Sequence, residues 1–130
     1  MTIAIGLKGR ADDTVTPENT AAVVGSGTLP VYATPCLCAL MERAAWSSIA
    51  PYLDAGDSSV GTKLELFHRS ASPVGIRVWA ESEVVSVEGR KIEFQIRAYD
   101  ERCLIAECNH QRFIVSDSPF LDKANRKLEE

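Results

Sequence analysis

One segment of this chain has a helical period, and nearly everything after it has a strand period. Across 34–50 the apolar residues Leu37, Leu40, Met41, Ala44, Ala45 and Ile49 fall on one side of a 3.6-residue wheel, with Arg43 and Ser47 opposite. Thr34-Pro35 reads as an N-cap followed by proline at the first helical position. Pro51 and the turn Asp54-Ala55-Gly56-Asp57 end the element after about four turns. Beyond it the period drops to two. Leu64, Leu66 and His68 share a face opposite Lys63, Glu65, Phe67 and Arg69. In 91–99, Ile92, Phe94, Ile96 and Ala98 alternate with charged or polar residues. A lone amphipathic helix beside a run of strands buries its stripe by lying across one face of their sheet.

Turn signals at 72–75, 88–89 and 100–102 divide the second half into strands at about 60–68, 76–87, 91–99 and 103–115. The alternation slips at Val84-Val85, which predicts a bulge. The β-branched content of 14–24 predicts an earlier strand, interrupted near Pro17, and Gly25-Ser26-Gly27 opens a loop to Pro30. Ser118-Pro119 predicts a cap for a short charged helix running to about Leu128. The expected class is α+β: one strand, one long helix, then four consecutive strands forming an antiparallel meander. The same order describes the hotdog fold, a curved sheet of about five strands wrapped round one long helix. With 130 residues and 45% hydrophobic content, a single domain over 1–130 is expected.

A net charge of −4 with scattered basic residues argues against a nucleic-acid partner. No run of about 18 apolar residues is present, so no membrane-spanning helix is expected. The N-terminal apolar patch is too short for a signal peptide and has no leading basic region, which makes a cytoplasmic location the expectation. Cys36 and Cys38 diverge by about 200° on the predicted helix. Cys103 and Cys108 face opposite ways on a predicted strand. Buried free thiols are therefore expected, rather than disulfides or a metal site.

Five residues stand out for chemistry, and each also has a plain structural reading. The Thr34 hydroxyl either caps the helix or presents itself beside the free N–H groups of the helix start, where negative charge is favoured. Glu42, about 80° round the wheel from Thr34, lies on the flank of the apolar stripe. It is either a helix-edge carboxylate in water or a general base or nucleophile. His68 sits on the inward face of its strand, either as a hydrogen-bonded core histidine or as a catalytic imidazole aimed at the covering helix. Gly61 either punctuates a loop or lets backbone amides approach a ligand oxygen. Arg112 shares a face with His110 and either binds an anion or pairs with an acidic neighbour.

Val31-Tyr32-Ala33-Thr34-Pro35, Leu40-Met41-Glu42 with Ala44-Ala45, Pro51-Tyr52-Leu53, Val60-Gly61-Thr62 and the strand ending in His68 resemble the fluoroacetyl-CoA thioesterase-like family of hotdog proteins. Ser86-Val87-Glu88-Gly89-Arg90 and His110-Gln111-Arg112 match its later strands, so the resemblance spans about 30–115. It implies Thr34, Glu42 and His68 as the catalytic set, and Gly61 and Arg112 on the substrate side. The implied reaction is hydrolysis of an acyl-CoA or related thioester to a free acid and a thiol, in a homodimer. Neither metal nor cofactor is implied beyond the coenzyme A of the substrate. The loop 24–30 lacks the phenylalanine that closes the pocket of the fluoroacetyl-specialised member, so a broader acyl preference is expected. A non-catalytic acyl-CoA or small-ligand binding module on the same fold is the alternative.

Overall fold

The structure, a computed structural model, describes residues 2–129. Strands β1 (Lys8–Thr14), β2 (Asp57–His68), β3 (Arg77–Glu88), β4 (Lys91–Asp100) and β5 (Leu104–Ser116) form one antiparallel sheet in the order β1-β3-β4-β5-β2. A short helix α1 (Ala21–Val24) and the long helix α2 (Thr34–Ile49) separate β1 from β2, and α3 (Asp117–Asn125) follows β5. A further turn of 3-10 helix, Ala50–Tyr52, extends α2. This is the hotdog arrangement expected from the sequence, one long helix against a curled five-stranded sheet.

The core forms where the predicted stripe meets the sheet. Leu37, Leu40, Met41, Ala44, Ala45 and Ile49 of α2 are buried against Val78, Ala80 and Val84 of β3, Ile92, Phe94 and Ile96 of β4, and Ile105 and Cys108 of β5. The helix comes closest to the sheet at β1 and β3. A Cβ on Gly9 would collide with the Ala44 carbonyl and the Ser48 side chain, and the buried Ser82 hydroxyl donates to Ala44 O at 3.0 Å. On the β2 side the cover is thinner. Leu64, Leu66 and His68 point inward as expected, yet they are only half-buried. That asymmetry leaves a groove between α2 and β2.

Three expectations are corrected. The first strand is 8–14, and most of 14–24 folds as a 3-10 turn, Pro17–Asn19, and α1. Asn19 closes this segment locally, accepting from Thr16 N at 2.8 Å and donating to Thr14 O at 2.9 Å. β1 escapes a periodicity search because it is an edge strand that buries only Ala11. The strands are also not a simple meander. β2 pairs with β5 at the far edge, and 69–76 cross over to β3, held by Tyr32 N→Ser72 O and a Val31–Pro73 bridge. Alternation reveals which face a strand buries and carries no information about its neighbours. Finally, the residue capping α2 is Ala33, and the Thr34 hydroxyl makes no capping bond.

The bulge expected at Val84-Val85 is present, as a register shift between Val84 and Ser86. Cys103 lies just before β5 and is exposed, Cys108 is buried, and all four cysteines are free.

Candidate active site

Thr34 is set at the start of α2 by the chain before it. Tyr32 N donates to Ser72 O and Ala33 N to Asn19 O, each at 2.9 Å, while the Tyr32 hydroxyl reaches Asp13 Oδ2 at 2.9 Å. His68 is the last residue of β2, and the next residue returns to β5 through Arg69 N→Ile105 O. These two anchorages bring Thr34 Oγ1 within 2.8 Å of His68 Nδ1. The hydroxyl released from capping is therefore spent on the imidazole. Burial pushes the His68 pKa down, partly opposed by the Ser70 backbone, so the ring is neutral near pH 7. Its Nε2 is buried and has no hydrogen-bond partner among the described residues. An unsatisfied buried nitrogen is costly, and such groups collect at functional sites.

Glu42 belongs to a second cluster. It sits eight residues beyond Thr34, about 12 Å further along the helix axis. Its Oε2 accepts from Arg112 Nη1 at 3.3 Å, a pair in which the arginine side chain is 7% exposed and the glutamate 40%. Arg112 is turned inward: Nε donates to Ser59 Oγ at 2.8 Å, Nη2 to Ser59 O at 2.9 Å, and Nη1 also meets His110 Nε2 at 3.1 Å. Of the two readings left open for Arg112, the structure displays the acidic neighbour. Gly61 lies directly beneath the carboxylate, because a Cβ there would stand 2.5 Å from Glu42 Oε2. With Cys38, Thr62, Lys63, Leu64 and His110, Glu42 and Gly61 line an open cleft of about 310 Å³, a size suited to a small ligand.

The structure thus joins Thr34 to His68 and places Glu42, Gly61 and Arg112 together further along the same α2–β2 groove. It makes no direct hydrogen bond between Glu42 and either Thr34 or His68. Among the described residues, no group of three or more His, Cys, Asp or Glu side chains could hold a metal ion.

The model of the FlK family, fluoroacetyl-CoA-specific thioesterases, matches residues 15–118. The chain belongs to this family. It is 35% identical over 97 residues to the fluoroacetyl-CoA thioesterase of Streptantibioticus cattleyicolor, covering 75% of this chain and 70% of the relative. A solved structure of the fluoroacetyl-CoA thioesterase FlK superposes with a TM-score of 0.92 at 30% identity, covering 98% of both chains. A thioesterase superfamily member from Thermus thermophilus gives a TM-score of 0.91 at 28% identity, covering 98% of this chain and 95% of the other. The chain is accordingly a thioesterase-like hydrolase, as the family resemblance implied.

Sequence reasoning missed two contributors. Ser59 grips Arg112 through both its hydroxyl and its carbonyl, but a serine in the run Ser58-Ser59 carries no signal. His110 enters the sequence reading through the face it shares with Arg112 and through the His110-Gln111-Arg112 match, with no role of its own. The stronger signal was a histidine and an arginine two apart on an inward strand face, where both turn out to be buried.

Proposed function

We propose that this chain hydrolyses short acyl-CoA thioesters to a free acid and a thiol, using Thr34, Glu42 and His68 without a metal. The observation that carries this reading is the 2.8 Å contact between the Thr34 hydroxyl and His68 Nδ1, made by a hydroxyl that the helix does not use as its cap. With Nδ1–H donating to Thr34 Oγ1, the hydroxyl proton is free to bond the thioester carbonyl and stabilise negative charge developing on its oxygen. Glu42 removes a proton from water as the water oxygen bonds the acyl carbon. The tetrahedral intermediate then collapses with loss of the C–S bond, and the Glu42 proton passes to the departing sulfur. Glu42 makes no direct hydrogen bond to Thr34 or His68, so it acts on the substrate through water rather than through either of them.

The loop 24–30 carries no aromatic residue and exposes Val24 and Leu29, which supports a preference broader than fluoroacetyl. FlK itself has been crystallised, as a variant, with fluoroacetate and CoA. A homodimer is supported by β2, a 12-residue sheet edge whose inward residues are half-covered and whose outward Phe67 is 49% exposed. No helix among the described residues is long and apolar enough to cross a membrane, and the free thiols fit a cytoplasmic setting.

The test is thiol release from a panel of acetyl-, fluoroacetyl- and medium-chain acyl-CoAs, with light scattering to count subunits. Turnover that is lost in Glu42→Ala and His68→Ala supports the assignment. Turnover unchanged in both variants removes it, and tight acyl-CoA binding with no turnover across the panel replaces it with the binding module.

A further inference from the structure

We infer that His110 is a positioning residue for Glu42, acting through Arg112; this rests on Glu42 being the base proposed above. The tautomer follows from its two neighbours. His110 Nδ1 stands 2.8 Å from the Lys63 carbonyl oxygen, which can only accept, so Nδ1 carries the proton. Nε2 then holds a lone pair, and 3.1 Å away it faces Arg112 Nη1, which can only donate. The opposite tautomer would set a lone pair against a carbonyl and an N–H against an N–H. The imidazole is 2% exposed and tilted against Phe94 with ring centroids 5.9 Å apart, so it has one seat and one orientation.

The consequence lies at Nη1. That nitrogen carries two N–H bonds, and His110 takes one of them. The other is directed at Glu42 Oε2. Nε and Nη2 are already committed to Ser59, so four donors fix the guanidinium plane from three sides. Without the acceptor at Nε2, Nη1 keeps its attraction to Glu42 but loses the contact that selects which hydrogen points there. Lys63, whose carbonyl seats the imidazole, adjoins the register shift between Gly61 and Lys63, so the irregularity in β2 also serves this chain of contacts. The path runs from the β2 backbone through His110 and Arg112 to the carboxylate.

The experiment separates the two ends of the imidazole. His110→Asn places an amide N–H near Nδ1 and removes the acceptor at Nε2. His110→Gln places a carbonyl oxygen near Nε2 and gives up the bond to Lys63 O. Both are compared with Glu42→Ala by steady-state thiol release and thermal melting. Expected is a fall in kcat of about tenfold to a hundredfold in the Asn variant with little change in KM, since Glu42 acts only as water attacks. The Gln variant recovers most of that kcat although it melts no higher than the Asn variant. Equal kcat losses in both, tracking their melting temperatures, overturn the positioning role and leave a packing residue. Parent-like kcat in the Asn variant while Glu42→Ala is dead overturns it alone. Activity in Glu42→Ala removes the base assignment and the inference together.

Discussion

Gly61→Ala offers the sharpest test of where Glu42 must sit. Gly61 has no left-handed φ, so alanine meets no backbone strain there. What it meets is the site. The new methyl would lie 2.5 Å from Glu42 Oε2, 3.3 Å from His110 Cε1 and 3.4 Å from Arg112 Nη1. His110 and Arg112 are buried and tied down, so the carboxylate gives way. To reach ordinary contact at 3.4 Å, Oε2 retreats by about 0.9 Å. A displacement of that order at a reacting group costs up to about a hundredfold, near 2.7 kcal/mol in the barrier. Stability moves little. Replacing glycine by alanine within a strand is worth about 0.5–1 kcal/mol, which offsets the loosened Glu42–Arg112 pair, itself 40% exposed on the glutamate side. The expected result is a kcat/KM for acyl-CoA hydrolysis lower by one to two orders of magnitude, at a melting temperature within a few degrees of the parent. Parent-like kcat/KM would show that the position of Glu42 does not govern the rate. A collapse in melting temperature would show that the methyl pushes on the sheet and not on the carboxylate.

Other consequences follow from the same contacts. Thr34→Ala should abolish most turnover without the loss of about 1 kcal/mol usual when a capping threonine is removed, because this hydroxyl caps nothing; thermal melting and thiol release on one sample decide it. Thr34→Ser, which keeps the hydroxyl facing His68, should retain most of the rate in the same assay. Glu42→Gln should lower kcat by about a hundredfold or more and destabilise modestly, since Arg112 is left buried beside a neutral amide. The chain's two histidines give it an acid sensitivity that melting between pH 7 and 5 would reveal. Burial lowers the pKa of both His68 and His110 below 6.5, with the Ser70 and Lys63 backbones opposing and Arg112 adding to the effect at His110. The unfolded chain therefore binds more protons than the folded one below about pH 6.5, and stability falls as pH drops through that value toward the folded pKa values. A double replacement of both histidines by Gln should flatten the slope, and an unchanged slope would assign it elsewhere.

How legible the molecule was depends on which physical signal each part leaves in the chain. Helix α2 announced itself because its burial is one-sided, and the stripe of Leu37, Leu40, Met41, Ala44, Ala45 and Ile49 is the stripe that is buried. The parity of β2 was right for the same reason, with Leu64, Leu66 and His68 inward. β1 was invisible because an edge strand burying a single alanine has no alternation to detect. The pairing of β2 with β5 was invisible because neighbour choice depends on a crossover held by contacts such as Ser72 Oγ→Asp100 Oδ2 at 2.9 Å, far apart in sequence. At the site, Thr34, Glu42 and His68 were conspicuous as polar groups at positions that should be apolar or capping. Their grouping was not. A wheel and a strand parity give directions without distances, so a three-way convergence was expected where the groove holds a bonded pair and, further along, a carboxylate on an arginine.

Two glycines show how one helix serves both the fold and the site. At Gly9 the missing side chain lets the Ala44 backbone and Ser48 press onto β1, and Ser82 locks the contact with its bond to Ala44 O. At Gly61 the missing side chain makes space for the tip of Glu42 from the same helix. The first is walled by the Ala44 carbonyl, the Ser48 Cβ and the buried Ser82 hydroxyl, none of them the far end of a flexible side chain, so an added methyl has nowhere to go. The second faces a half-exposed side chain that can yield. Gly9→Ala should therefore cost about 1–3 kcal/mol of stability, as overpacking does, and affect turnover only through loss of folded enzyme. Gly61→Ala should do the reverse. Denaturant melts and kcat per folded active site, measured on both variants, form the test. If the two variants lose stability and activity in the same proportion, the groove is not a region built apart from the core, and the account of α2 as anchored at β1 and β3 and open at β2 fails.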